Sequence, residues 1–177
     1  MKKIFLFILL AIAFNTFSQT GVSVRSLQTL PSLTNFTITT TTSAYSVGDN
    51  VGGVITLTNC VRNSSTTSQI TDLALWDLSN QKSAFTIHFW KATPPNGTYT
   101  NDVSQVIAGD QAYYLGMVNI ISSDWITVGA IATLNVTNIN IGIKPTTGTS
   151  IYATYVIGNT ATYAASAIIG KITVINN

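Results

Sequence analysis

The stretch that decides the fold most clearly is Phe85-Thr86-Ile87-His88-Phe89-Trp90. Apolar side chains stand at positions 85, 87 and 89. A period of two is typical of a β-strand that turns one face toward a core. The same alternation returns in Ile139-Asn140-Ile141-Gly142-Ile143. Both stretches favour β-branched or aromatic residues, which suit extended backbone, so both are predicted to be strands.

Similar apolar segments lie on either side of these two and are separated by turn residues such as Gly, Pro, Asn and Asp. They span residues 36–42, 51–59, 70–78, 115–121, 125–136, 151–157 and 168–175. About eight short strands with turn-rich links predict an all-β fold, specifically a β-sandwich of jelly-roll type.

Two local details refine this prediction. In segment 70–78 a strict alternation would put Ile70 on the same face as Asp72, Ala74 and Trp76. Residues 108–114 are predicted to form one short helix, with Asp110 early in it, where the helix dipole favours an anion.

The N-terminal part divides into two predicted segments ahead of the sandwich. Residues 1–18 have a cationic start, an apolar run and a small polar end, the layout of a secretory signal peptide. Residues 19–42 are predicted to be an extended N-terminal arm that ends in a strand, and residues 43–177 a single β-sandwich domain. Contact with a membrane is expected only if the leader is retained.

The chain is poor in the side chains that carry out chemistry. It has eight basic residues, six Asp, no Glu, one His and one Cys. Most protein catalysis uses carboxylates, imidazoles, thiols or amines. We therefore predict a non-enzymatic protein without catalytic, cofactor-binding or metal-binding residues. Lys2 and Lys3 lie in the leader, so the remainder carries six basic and six acidic residues. No basic stripe is present to hold phosphates, which argues against nucleic-acid binding.

The few candidates for chemistry have simple structural interpretations. Cys60 is predicted to be a small buried apolar residue, and His88 a partly exposed structural residue that shares a face with Trp90. The pairs Asp49-Asn50 and Asn101-Asp102 are predicted to be turn residues, because each lacks the further acidic ligands of a calcium loop.

Aromatic residues leave two interpretations open. Trp76, Trp90 and Trp125 could line a carbohydrate or peptide surface, whereas packing in the core or an interface is the favoured interpretation. Side chains of the arm are expected to reach a neighbouring subunit. The candidate partner contacts are Leu30, Leu33, Phe36, Trp90 and Trp125.

The order of several segments between residues 42 and 175 is similar to that of a known protein group. The segments are Thr42-Ser43-Ala44-Tyr45-Ser46-Val47-Gly48-Asp49-Asn50-Val51-Gly52-Gly53, Asp77-Leu78-Ser79-Asn80-Gln81-Lys82, Phe85 to Pro94, Thr100-Asn101-Asp102, Ala108 to Gly116, Gly148 to Tyr152 and Thr162 to Ser166. Together they resemble a group of small structural proteins of tailed bacteriophages, described as head or decoration-type virion proteins.

The resemblance implies a β-sandwich component of a phage virion that is capsid-associated, or of decoration or fiber type, with no catalytic residues to transfer. Its partners would be other virion proteins and further copies of itself, for which a trimer is one natural symmetric form. It would be located in the virion, and the leader implies export or membrane association at some stage. The alternative is a secreted bacterial surface-binding or adhesion module for carbohydrate or protein, which rests on the leader and the aromatic residues.

Overall fold

The computed structural model describes residues 31–176, and within them the all-β prediction is confirmed. The only helical elements there are two single-turn 3-10 helices, Gln111–Tyr113 and Ser122–Asp124. The strands are β1 (Pro31–Ile38), β2 (Ala44–Tyr45), β3 (Ile55–Leu57), β4 (Ser68–Asp77), β5 (Phe85–Trp90), β6 (Tyr114–Ile120), β7 (Ile126–Val128), β8 (Ile131–Val136), β9 (Ile141–Ile143), β10 (Ile151–Ile157), β11 (Ala161–Thr162) and β12 (Ile168–Asn176).

The strands form two main sheets that pack face to face. The six-stranded sheet has the order β1-β12-β4-β8-β7, with β9 also paired to β4, and the four-stranded sheet has the order β3-β10-β5-β6. A small third sheet joins β2 to β11. The two inner faces meet in one hydrophobic core that includes side chains from both sheets, which is the arrangement of a β-sandwich.

The pairing is nested along the chain. The outermost pair joins β1 to β12, and the pairs β2–β11, β3–β10, β4 with β9 and β8, and β5–β6 follow inward. A long antiparallel hairpin rolled up in this way is a jelly roll, as the sequence predicts. The predicted count of about eight strands also holds for the main strand positions. β8 and β9 share one position beside β4, and three strands are short additions, namely β2, β7 and β11.

The core is closely packed where β1 meets β12. The Phe36 side chain lies over Gly170, its cross-strand partner. Its ring centroid is 5.9 Å from that of Tyr155 in the other sheet. A Cβ atom at position 170 would lie 2.0 Å from the Phe36 ring. Glycine is therefore required here because an aromatic ring takes the space of its side chain.

The structure corrects the predicted faces of β4. The register between β4 and β12 shifts between Thr173 and Val174, which leaves Thr71 as an extra residue in β4. A bulge of this kind reverses the alternation. Ile70 is consequently buried together with Leu73 and Leu75, while Asp72, Ala74 and Trp76 face outward.

The predicted arm 19–42 is corrected where the structure describes it. Residues Pro31–Ile38 pair with β12 of the same chain over their whole length, and Phe36 and Ile38 are buried in the core. This stretch is an edge strand of the sandwich, because burial of its apolar face holds it there. The leader 1–18 and residues 19–30 of the arm lie outside the described residues.

The predicted helix 108–114 is reduced to the three-residue turn Gln111–Tyr113. Gly109 has a φ of +74°, outside the helical region, and Tyr114 already begins β6. The Asp110 carboxylate makes no capping hydrogen bond to this turn, because it is bound to residues 96–99, earlier in the same connection between β5 and β6. Within residues 31–176 no helix is long and apolar enough to cross a membrane.

Replacing Gly170 by Ala should destabilise the fold by about 1–3 kcal/mol, because the new methyl group collides with the Phe36 ring. Urea denaturation measures the change. Gly142→Ala is the matched control, since no atom lies within 4 Å of a Cβ at that strand position. A double-mutant cycle with Phe36→Leu should show positive coupling. Equal midpoints for the two Gly→Ala variants would contradict this packing.

Candidate functional site

The most elaborate region outside the sandwich is a layer of loops against the four-stranded sheet. We call residues 43–53 and 91–113 the loop layer. Trp90 and Thr154 lie on the outer face of this sheet, yet both are completely buried. The indole N–H of Trp90 donates to the Thr154 hydroxyl at 3.2 Å, and its ring packs 5.5 Å from Tyr99. The loop layer therefore covers part of this face.

Part of the loop layer extends the sheet itself. The Val51 amide donates to the Tyr155 carbonyl at 2.8 Å, so this segment continues β3 along the edge of β10. On its other side the Asn50 amide donates to the Val103 carbonyl, and the Asp102 amide donates to the Asn50 carbonyl. Two loops far apart in sequence are thus joined by backbone hydrogen bonds.

Asn101 connects three segments of this region. Its carboxamide oxygen accepts hydrogen bonds from the Tyr45 hydroxyl at 2.9 Å and from the Gly52 amide at 2.7 Å. Its amide nitrogen donates to the Thr39 carbonyl at 3.3 Å. One side chain with both acceptor and donor groups can satisfy several backbone groups that have no sheet neighbour. Asn101 is a structural residue, as predicted, but its contacts are long-range.

The side chains of Asp49 and Asn50 also form hydrogen bonds with neighbouring groups of the loop layer. The Asp49 carboxylate accepts hydrogen bonds from the Ser46 amide and the Ser104 hydroxyl. The Asn50 side-chain amide donates to the carbonyls of Thr98 and Val103. These partners leave Asp49 engaged in a turn, in agreement with the sequence prediction.

Asp110 fixes the far end of the loop layer. Its buried carboxylate accepts hydrogen bonds from the backbone amides of Asn96 and Gly97 and from the Tyr99 hydroxyl, the last at 2.7 Å. Burial alone would raise the pKa of Asp110, but these donors outweigh it and the pKa is lowered. Burial and the adjacent carboxylate raise the pKa of Tyr99. Asp110 is therefore a charged anchor, and its role differs from the predicted helix-dipole role.

An apolar hollow of about 200 Å³ opens beside this layer. Its walls are His88, Trp90, Ile107, Gln111 and Tyr114. Burial lowers the pKa of His88, so the imidazole is neutral near pH 7. The rings of Trp90 and Tyr114 are its aromatic neighbours, at 6.1 and 5.9 Å. A neutral ring among aromatic side chains is suited to packing against an apolar group. The prediction that His88 is partly exposed is confirmed.

Exposed apolar side chains line this hollow or adjoin its lining residues. We call Val106, Ile107, Tyr114 and Met117 the apolar strip, since Ile107 and Tyr114 line the hollow and Met117 is the cross-strand partner of His88. All four are at least 39% exposed. Contiguous exposed apolar groups are typical of interaction surfaces.

The predicted partner contacts fall in different places. Trp90, Trp125 and Phe36 are buried within the chain, the Trp125 indole N–H donating to the Ser83 carbonyl at 2.8 Å. These three residues are corrected to core or loop-layer packing, because their surfaces are already covered. Leu33 is 57% exposed on the edge strand β1. Leu30 lies outside the described residues.

The remaining candidates for chemistry are also engaged structurally. Cys60 is buried, as predicted, and burial raises the pKa of its thiol to about 11, so that it stays protonated near pH 7. Across residues 31–176 no group of three or more His, Cys or acidic side chains is placed to hold a metal ion.

No protein-family model, curated protein or solved structure matches the chain. The phage resemblance accordingly stays a prediction.

Sequence reasoning did not find the apolar strip. Val106 and Ile107 lie in a loop without periodicity, and no local pattern indicates that the loop folds back over β5. The polar pairs Asp49-Asn50 and Asn101-Asp102 were a usable signal, because residues suited to turns often satisfy neighbouring backbone groups.

Asp110→Asn should lower the urea midpoint at pH 7, because an amide group places donors against the donors of Asn96 and Gly97. A carboxyl whose folded pKa is below its usual value of 3.8 stabilises the fold above that value. This stability is lost as pH falls through the lower folded value. The variant should therefore lose less stability than wild type between about pH 5 and pH 2.

The matched control is Asp102→Asn in the same loop layer, where the carboxylate makes no hydrogen bond with residues 31–176. Its midpoint at pH 7 should equal that of wild type. Parallel stability curves for Asp110→Asn and wild type over the acid range would show that Asp110 is not the anchor.

Proposed function

We propose that the protein is a non-catalytic structural subunit of a bacteriophage particle, which docks onto other particle proteins through the apolar strip of its loop side. One observation carries this proposal. The resemblance to phage structural proteins rests partly on three segments that converge in the loop layer and its flanking strand. They are residues 42–53, 100–102 and 108–116. These segments border the exposed apolar groups: Tyr114 lies within them, and Val106, Ile107 and Met117 lie directly beside them in the sequence.

The design of the loop layer supports a docking role. The polar side chains of Asn50, Asn101 and Asp110 are turned toward the backbone of the layer, while Val106 and Ile107 point to solvent. A surface held by internal hydrogen bonds loses little conformational entropy when it binds, which favours association.

Self-association is part of the same proposal. Apart from its leader the chain carries equal numbers of basic and acidic residues, so copies do not repel one another by net charge. Symmetric association of copies, for which a trimer is one form, would repeat the apolar strip around a shell.

The alternative, a secreted module for carbohydrate or protein, loses two of the three tryptophans that the sequence offers for it. Trp90 and Trp125 are buried, and their indole N–H groups already donate within the chain. A carbohydrate contact at these two rings is therefore not supported. Trp76, the third tryptophan, is partly exposed.

Val106→Asp should reduce the amount of the protein in phage particles by about tenfold or more, since burying one aliphatic side chain contributes about 1.5–3 kcal/mol and a charge would oppose it. Particles released from cells that carry the gene are purified, and their composition is measured by quantitative mass spectrometry. Val128→Asp is the control, because Val128 is similarly exposed (57% against 52%) at the far edge of the other sheet.

Two results would count against docking at the apolar strip. Absence of the wild-type protein from purified particles removes the virion role altogether. Wild-type amounts of the Val106→Asp protein would place the contact elsewhere on the surface.

A further inference from the structure

The outer face of the six-stranded sheet has an ordered arrangement of side chains. The cross-strand register places outward residues of β12, β4 and β8 in rows that run across the sheet. The two central rows are Ile169–Trp76–Thr133 and Lys171–Ala74–Asn135. Neighbouring rows on one face lie about 7 Å apart, so an indole ring borders directly on a row of small and polar side chains.

This arrangement produces a shallow hollow of about 520 Å³. Ala74 is small and stands between Lys171 and Asn135, which leaves space beside the Trp76 ring. Asp72 and Ile126 also line the hollow. The volume is within the range of about 300–1,000 Å³ that is typical of small-ligand sites.

The polar groups of the hollow are not used by the rest of the described chain. Within residues 31–176 the side chains of Trp76, Asp72, Lys171 and Asn135 make no hydrogen bond or ion pair. The indole N–H groups of the two buried tryptophans, by contrast, both have acceptors. Trp76 is therefore the partly exposed tryptophan, and its N–H group has no acceptor among residues 31–176.

We propose that this hollow binds a neutral sugar ring of a polysaccharide. A pyranose ring has a face of C–H groups, which packs favourably on the negative face of an indole. Its hydroxyl groups both donate and accept, and they match a carboxylate acceptor at Asp72, an ammonium donor at Lys171 and an amide at Asn135. The charges of Asp72 and Lys171 balance, so the site favours an uncharged ligand.

Tryptophan fluorescence tests the site directly. The chain has three tryptophans, and Trp90 and Trp125 are at most 5% exposed, so acrylamide quenches mainly Trp76. The probes are laminarin, mannan and xyloglucan, each tested separately with the full chain. Binding of at least one of them should cause a loss of acrylamide quenching. Unchanged quenching with all three would overturn the proposal.

The variants are compared with wild type by affinity electrophoresis in gels that contain the same polysaccharides. Trp76→Ala should lose the retardation shown by wild type, and the pair Asp72→Asn and Lys171→Met should weaken it without touching the ring. Ile169→Ala is the matched control, since this exposed residue is in the same row but does not line the hollow. Its retardation should equal that of wild type.

Circular dichroism checks that each variant is folded. If Trp76→Ala does not fold, the double variant Asp72→Asn and Lys171→Met is used for the test instead. Retardation that persists in the folded Trp76→Ala protein would overturn the assignment. The assignment would also be overturned if wild type shows no retardation but self-associates in sedimentation experiments, and Trp76→Ala abolishes that self-association. The face would then be an interface between copies of the chain.

Discussion

The rest of the structure depends on nested antiparallel pairing, in which strands of the first half of the chain meet strands of the second half in reverse order. Among the nested pairs, β5 with β6 closes the shortest loop, and each pair outside it closes a longer one. The entropy cost of closure rises slowly with loop length, so burial of the common core can offset it. The outermost pair is secured by Phe36, which fills the space left by Gly170 and reaches Tyr155 in the opposite sheet.

Nesting also fixes where the loop layer must be. Residues 91–113 connect β5 to β6 at the centre of the nest, and they lie back on the sheet that both strands belong to. A covered loop has to satisfy its backbone polar groups without a regular ladder. Asn50, Asn101 and Asp110 do this with inward-pointing amide and carboxylate groups. The outward positions of the loop are then free to carry apolar side chains such as Val106.

The sequence predicted those features that depend on local periodicity. Alternation in residues 85–90 gave β5 and the inward positions of Phe85 and Phe89, and the isolated Cys60 was correctly placed in the interior. Alternation failed at Ile70, where a bulge adds one residue and reverses the faces. It also failed to show that Trp90 is buried, because the covering residues come from a loop whose return path no local pattern encodes.

The loop layer is a folded, hydrogen-bonded part of the domain and not a loosely attached lid. Hydrogen–deuterium exchange of backbone amides in the free protein tests this most directly. The amides of Asn50, Gly97 and Asp102, which donate within the layer, should exchange as slowly as those of β5 and β10. Exchange of these amides at the rate of an unstructured chain, while the strands remain protected, would contradict the account.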